Sequence, residues 1–229
     1  ESELRVGDRT VLREYCTLNR GTEHGGGITQ VGSDCLLMAY THVAHDCKLG
    51  NQVILANAIN MAGHVNIEDN VIIGGITAIH QFVKIGKYAF IGGLSRVTQD
   101  VPPYILTTGD PLKYYGPNSI GLKRQGFTTD QILSIKRSYK LIYRSKLNLV
   151  QAVDAIKNEL ELTKEVEEFV NQEVKDLINA LQSKHDFVIT VLKFHLLSEN
   201  LLERIILGNL TRGDRILEKG NLSFYQKIK

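Results

Sequence analysis

Residues 41–47 read THVAHDC, which places His42 and His45 three apart with Asp46 directly after the second. Only seven histidines occur in 229 residues, and two more of them, His64 and His80, follow at intervals of under twenty. An imidazole can take a proton from a hydroxyl near neutral pH, and a neighbouring carboxylate can fix which ring nitrogen is free to do so. The same residue types hold zinc where several donors converge at about 2.0–2.1 Å from one ion. A third reading has no chemistry in it: a hydrated ridge of polar side chains, or a contact between copies of the chain. The backbone that carries these residues decides among the three.

That backbone is legible from a six-residue period. Stepping by six from Val31 reaches Leu37, Val43, Leu49, Leu55, Met61, Ile67, Ile73, Ile79, Ile85, Ile91 and Val97, an unbroken apolar series in a chain that is 43% hydrophobic. The residue four places further on is small or β-branched nearly throughout, from Cys35 and Thr41 to Ser95 and Val101. Val6, Leu12 and Leu18 keep the same step, and RGTEHGGGITQ interrupts it. Six matches neither an amphipathic helix nor an alternating strand. It fits a triangular prism in which each flat side takes one hexapeptide, so that 18 residues make a coil and stacked coils pair as parallel strands roughly 4.8 Å apart. The coils start at VGSD, LGNQ, IEDN and IGKY. The fold class is therefore mainly β, a parallel β-helix of hexapeptide repeats, followed by a C-terminal α-helical part.

Counted in that register, His45, His64 and His80 occupy places 15, 16 and 14 of successive coils, so all three fall on one edge, and His42 lies just before the same corner. Two coil steps span roughly 10 Å, about the size of a sugar. Histidines on separate coils of one chain are too far apart to share a zinc ion unless another subunit helps. His45 with Asp46 is the one His-Asp neighbour pair of the group. Adjacent residues of a strand point to opposite faces, which weighs against their contact, but the alternation bends at a corner.

Composition narrows the function classes. A formal net charge of +2 gives no warrant for a nucleic-acid partner. Cys16, Cys35 and Cys47 are an odd number without a CxxC pair, which argues against a disulfide framework and for a reducing, cytoplasmic setting. No apolar run is long enough for a transmembrane helix. The sequence starts at Glu1 with neither a Met nor an apolar signal core, as expected of a stretch from inside a longer protein.

The motifs THVAHDC, LGNQVILANAINMAGHV, GGITAIHQFVKIG, IGGLSRVTQDVPPY and GLKRQGF together closely resemble the UDP-N-acetylglucosamine O-acyltransferase family of lipid A biosynthesis, from about Val6 to about Glu168. The resemblance implies a left-handed coil and a homotrimer with clefts between subunits. It also implies transfer of a 3-hydroxyacyl chain from acyl carrier protein to the 3-hydroxyl of UDP-N-acetylglucosamine, with no metal or organic cofactor. On matching positions His45 is the general base and Asp46 its neighbouring acid. A backbone amide near Gly63 is the oxyanion donor, and His42, His64, His80, Gln81, Asn118 and Arg124 contact substrate. Gly93 stands where acyl-chain length is limited, and a glycine there leaves room for a longer chain. GTEHGGG, in the insertion at 20–30, reads as a flexible loop beside the cleft, and without GK[ST] it is no phosphate-binding loop. Asn19 and Ile120 depart from the family, where a histidine and a glutamate are common. Two alternatives remain: the related N-acyltransferase acting later in the same synthesis, and a non-catalytic hexapeptide scaffold.

Residues 1–115 are expected to form the β-helix, 116–182 a helical domain and 183–229 an atypical helical tail. The prolines of DVPPYILTTGDPL stop the coil. Thr128 and Gln131 form a capping box at the start of a helix with Ile132, Ile135, Tyr139 and Ile142 on one face. NLVQAVDAIKNEL and TKEVEEFVNQEVKDLINAL give two more helices. By themselves these helices read as a packing cap on the solenoid; the resemblance implies that Lys123, Arg124, Arg137, Lys140 and Arg144 form a basic surface for an acidic acyl carrier protein.

Overall fold

In a computed structural model, residues 1–160, 163–171 and 174 are described. The C-terminal part of the helix expected over residues 163–181, and all of the tail over 183–229, lie outside them. Two compact units divide the chain, Glu1–Lys136 and Arg137–Lys229.

The first unit is built on the prism that the period predicts. Strands Glu3–Val6, Ile28–Val31, Lys48–Leu49, Asn66–Ile67 and Lys84–Ile85 pair in parallel as one sheet. A second sheet begins at Val11–Leu12 and runs through Leu36–Leu37, Ile54–Leu55, Ile72–Ile73 and Phe90–Ile91 to Ile105–Thr108, where Lys113–Pro117 joins antiparallel. The third holds Thr17–Leu18, His42–Val43, Asn60–Met61, Ala78–Ile79 and Arg96–Val97. Every member of the series from Val31 to Val97 is at most 3% exposed, and the residues four places on are buried with them. Their aliphatic side chains fill the axis, and this burial supplies the main driving force for stacking.

The corners follow a second rule of 18. Asp34, Gln52, Asn70 and Tyr88 turn one corner; Tyr40, Ala58, Ile76 and Leu94 the next; Asp46, His64 and Phe82 the third. All have φ between 56° and 66°. Left-handed backbone is costly for residues with a Cβ, and it recurs here because each corner between two short strands turns on one such residue.

The coil ends at Tyr104, whose buried ring lies parallel to that of Tyr88 at 5.8 Å, while Phe127 meets both edge-on. Helix α1 (Ser119–Arg124) starts there. Helix α2 (Thr129–Tyr143) opens on the expected box: the Thr128 amide donates to Gln131 Oε1 at 2.8 Å and the Gln131 amide to Thr128 Oγ1 at 3.2 Å. In the second unit α3 (Leu149–Glu159) is capped reciprocally by Asn148 and Gln151, and Phe169 stacks on Tyr139 at 4.4 Å. Among the described residues no helix is long and apolar enough to cross a membrane.

Candidate active site

The third corner carries the site. Asp46 sits in left-handed backbone at φ 61°, and that turn brings its carboxylate back onto the preceding residue. His45 Nδ1 lies 2.7 Å from Asp46 Oδ2. The pairing that alternation argued against is made because a corner residue does not alternate. Three further hydrogen bonds hold Asp46: its own amide donates to Thr29 Oγ1 at 2.7 Å, and it accepts from the Thr22 amide at Oδ1 (2.9 Å) and the Thr22 hydroxyl at Oδ2 (2.7 Å).

The Asp46 side chain is 1% exposed, yet it is ionised. Burial alone would push its carboxyl up. The Thr22 hydroxyl and amide, the His45 N–H and the nearby His64 outweigh that and hold it at about 2. An ionised carboxylate only accepts, so Nδ1 of His45 must carry the proton of the shared hydrogen bond. Nε2 is then the nitrogen with the lone pair, on a side chain that is 44% exposed. One imidazole is thereby set up to take a proton from a ligand.

His64 stacks on Phe82 at 4.7 Å and meets the His45 ring edge-on at 5.2 Å. Its Nε2 is 3.9 Å from Asp46 Oδ2, beyond hydrogen-bond reach. Gly63 is buried beneath His45. A Cβ built on it would lie 2.7 Å from Cε1 and 2.9 Å from Nε2, so the imidazole occupies the space of the missing side chain. Among the described residues the Gly63 amide donates to no acceptor.

His45, Asp46 and His64 could each offer a donor to a metal, and those atoms lie within 4.8 Å of one another. Neighbouring coils thus bring histidines closer than the sequence suggests. However, two ligands of one tetrahedral zinc stand roughly 3.3 Å apart. The 2.7 Å between His45 and Asp46 is a hydrogen-bond distance, and both Asp46 oxygens already accept from Thr22.

Comparison with known proteins identifies the family. The family model described as Udp N-acetylglucosamine O-acyltransferase, domain 2, matches residues 100–183. A crystal structure of LpxA from Acinetobacter baumannii aligns with a TM-score of 0.70 at 42% identity, covering 75% of this chain and 67% of that one. A Janthinobacterium protein named as an acyl-carrier-protein–UDP-N-acetylglucosamine O-acyltransferase is 45% identical over 177 residues, 77% of this chain and 67% of its own length. The chain belongs to the UDP-N-acetylglucosamine O-acyltransferase family. The same-named protein of Verminephrobacter eiseniae is 49% identical over 155 residues, 68% of this chain, and the match spans 59% of that relative.

For a UDP-N-acetylglucosamine O-acyltransferase family member, the remaining residues fall unevenly. The three histidines expected on one edge occupy three adjacent columns: His80 aligns with Ala44 and Ala62, His45 with Gly63 and Gln81, and His64 with Asp46 and Phe82. His80 is exposed, with Nδ1 3.2 Å from the Gln81 carbonyl, and Gln81 is exposed beside it. On the third sheet, His42 pairs through Nδ1 with Thr17 Oγ1 at 2.7 Å. The amide side chain of Asn118 is engaged by the chain itself: Oδ1 caps α1 from the Gly121 amide at 3.1 Å and Nδ2 donates to the Tyr88 carbonyl at 3.2 Å. Arg124 is exposed in the last turn of α1.

The insertion is not a loose glycine loop. Residues Glu23–Gly25 form a 3₁₀ turn with Thr22 at its N-cap, and the neck is tied to the first strand through Gly21 N–H to the Glu3 carbonyl and Glu3 N–H to the Gly27 carbonyl. Sequence reasoning missed Thr22, Thr29 and Phe82. Counting 18 on from Asp46 finds His64 and Phe82, and counting 18 back from Cys47 finds Thr29 in the strand Ile28–Val31; Thr22 has no such signal, because an insertion brings it in.

Proposed function

We propose that this chain carries the acyl-transfer site of an O-acyltransferase acting on UDP-N-acetylglucosamine, with a 3-hydroxyacyl chain on acyl carrier protein as donor. This is the first step of lipid A biosynthesis, in the cytoplasm. The observation that carries the reading is the hydrogen bond from His45 Nδ1 to an ionised, buried Asp46, which leaves Nε2 basic and accessible. In the proposed reaction Nε2 takes the proton of the sugar 3-hydroxyl as its oxygen attacks the thioester carbonyl. The new C–O bond forms, the C–S bond breaks, and the imidazolium returns the proton to the departing sulfur. Asp46 stabilises the imidazolium meanwhile. The Gly63 amide is the proposed donor to the tetrahedral oxyanion. His42, His64, His80, Gln81 and Arg124 are assigned to substrate contact. Asn118, the family's remaining contact position, is assigned first to anchoring α1.

A homotrimer is part of this proposal. What supports it is the outer face of the second sheet, where Leu36, Ile54, Ile72, Phe90 and Leu106 line up on successive coils and are only half-buried. The corner beside it exposes Tyr40, Ile76 and Leu94 by 61–71%. Contiguous apolar surface of this kind marks an interaction site. Arg137, Lys140 and Arg144, all exposed, give a basic ridge for the acidic carrier protein.

The test is acyl transfer from 3-hydroxyacyl carrier protein to UDP-N-acetylglucosamine, followed by chromatography of the sugar nucleotide. Formation of a 3-O-acyl ester supports the reading; failure to bind UDP-N-acetylglucosamine, with no product, sinks it.

A further inference from the structure

We infer that Thr22 is a positioning residue for the proposed base, and that the 3₁₀ turn Glu23–Gly25 exists to present it. Resting on the acyltransferase reading, this adds the insertion to the machinery. One oxygen of Asp46, Oδ2, accepts from two donors at the same 2.7 Å, the Thr22 hydroxyl and His45 Nδ1. The Thr22 amide holds the other oxygen at 2.9 Å. A carboxylate fixed at both oxygens cannot rotate about its terminal bond, so the direction in which it aims the His45 ring is set by a residue 24 positions upstream.

Two features of the insertion converge on the Asp46 carboxylate. Gly25 packs its α-carbon against the Asp46 carboxylate, and a Cβ there would overlap Cγ and both oxygens. Thr22 has its amide, hydroxyl and carbonyl all committed, the amide to Asp46 Oδ1. Its hydroxyl donates to Asp46 and accepts from the Gly25 amide at 3.1 Å, and its carbonyl accepts from the amides of Gly25 and Gly27. The hydroxyl thus links the turn to the carboxylate through a single oxygen. The ionisable groups about Asp46 are His45 and His64 on the corner, Cys47 beneath it, and Glu23 and His24 on the turn, which are exposed. None of these restrains the Asp46 carboxylate at both oxygens. Threonine at this place supplies an amide and a hydroxyl toward one carboxylate, which no apolar residue of the same shape can do.

The experiment compares Thr22→Val, Thr22→Ser and Gly25→Ala with the full chain, by steady-state kinetics and by the ¹⁵N-edited imidazole spectrum. Thr22→Val is expected to lower kcat by tenfold or more with KM for UDP-N-acetylglucosamine within twofold, because only orientation of the base is lost. The exchange-protected Nδ1–H signal of His45, assigned by its absence in His45→Ala, should disappear in Thr22→Val and Gly25→Ala. It should return, with kcat, in Thr22→Ser. A Thr22→Val protein that keeps that signal and its kcat overturns the inference. So does a Thr22→Ser protein as impaired as Thr22→Val, since a merely structural role would not follow the hydroxyl. If the wild-type protein transfers no acyl group, the functional reading fails, and the spectrum still decides whether Thr22 sets the His45–Asp46 geometry.

Discussion

The His45 imidazole rests on the α-carbon of Gly63, one coil further along the chain, and a Cβ at Gly63 would lie 2.7 Å from the ring. A methyl group there must move the imidazole, since the obstacle on the Gly63 side is backbone. Gly63→Ala is therefore expected to leave the core untouched and to lower kcat at least tenfold, because a displacement of about 1 Å at the reacting group is costly. Kinetics beside a thermal melt checks this. An unchanged kcat would mean that the ring has room to spare.

His45→Ala should cut turnover by roughly 10²–10⁴-fold, the usual worth of a positioned acid–base group. Folding should survive, because the ring is partly exposed. Asp46→Ala should fall between that and wild type, leaving the imidazole present but unaimed. His64→Ala should act mainly on KM, if it binds ground and transition states alike. A His45→Ala protein within threefold of wild type removes it from the role of base.

Asp46 also predicts an acid dependence of stability. Its carboxyl is held at about 2, below the ordinary value of 3.8. A depressed folded-state pKa adds stability that is present above the unfolded value and lost as pH falls through the folded one. The melting temperature should drop across roughly pH 4 to pH 2 more steeply than in Asp46→Asn, which cannot ionise. Parallel curves for the two proteins would show that Asp46 contributes nothing to that slope.

Gly93 faces Gly75 across one coil step, and a Cβ on it would come 3.1 Å from the Gly75 carbonyl oxygen. The position is exposed, and a side chain on it would press against the Gly75 backbone and project outward. If this is where the acyl chain ends, Gly93→Leu should shift the preferred donor to a shorter chain, read as the ratio of kcat/KM for long and short 3-hydroxyacyl carrier proteins. An unchanged ratio places the end of the chain elsewhere.

The axis of the prism was legible because its rule is local. A hexapeptide that must put one aliphatic residue inside leaves a mark every six positions, and Val31 through Val97 keep it without exception. The capping box at Thr128 and Gln131 was legible for the same reason, since its two hydrogen bonds join residues three apart. The site was legible only in part. His45 and Asp46 stand out as residue types, and the family resemblance assigns them roles, but their contact hinges on one left-handed φ at Asp46.

Sequence by itself thus determined the coil, its period of 18 and the corner on which the histidines cluster, because those follow from spacing along one chain. Only the tertiary structure decided which groups touch there. His64 reaches the Asp46 column and His80 does not, a difference of two residues in register. Thr22 reaches Asp46 from an insertion that obeys no period, so its hydrogen bonds depend on how the 3₁₀ turn folds back over the corner. Periodic burial specifies where a side chain sits along the prism; the direction in which it points is set by hydrogen bonds between residues that the sequence keeps far apart.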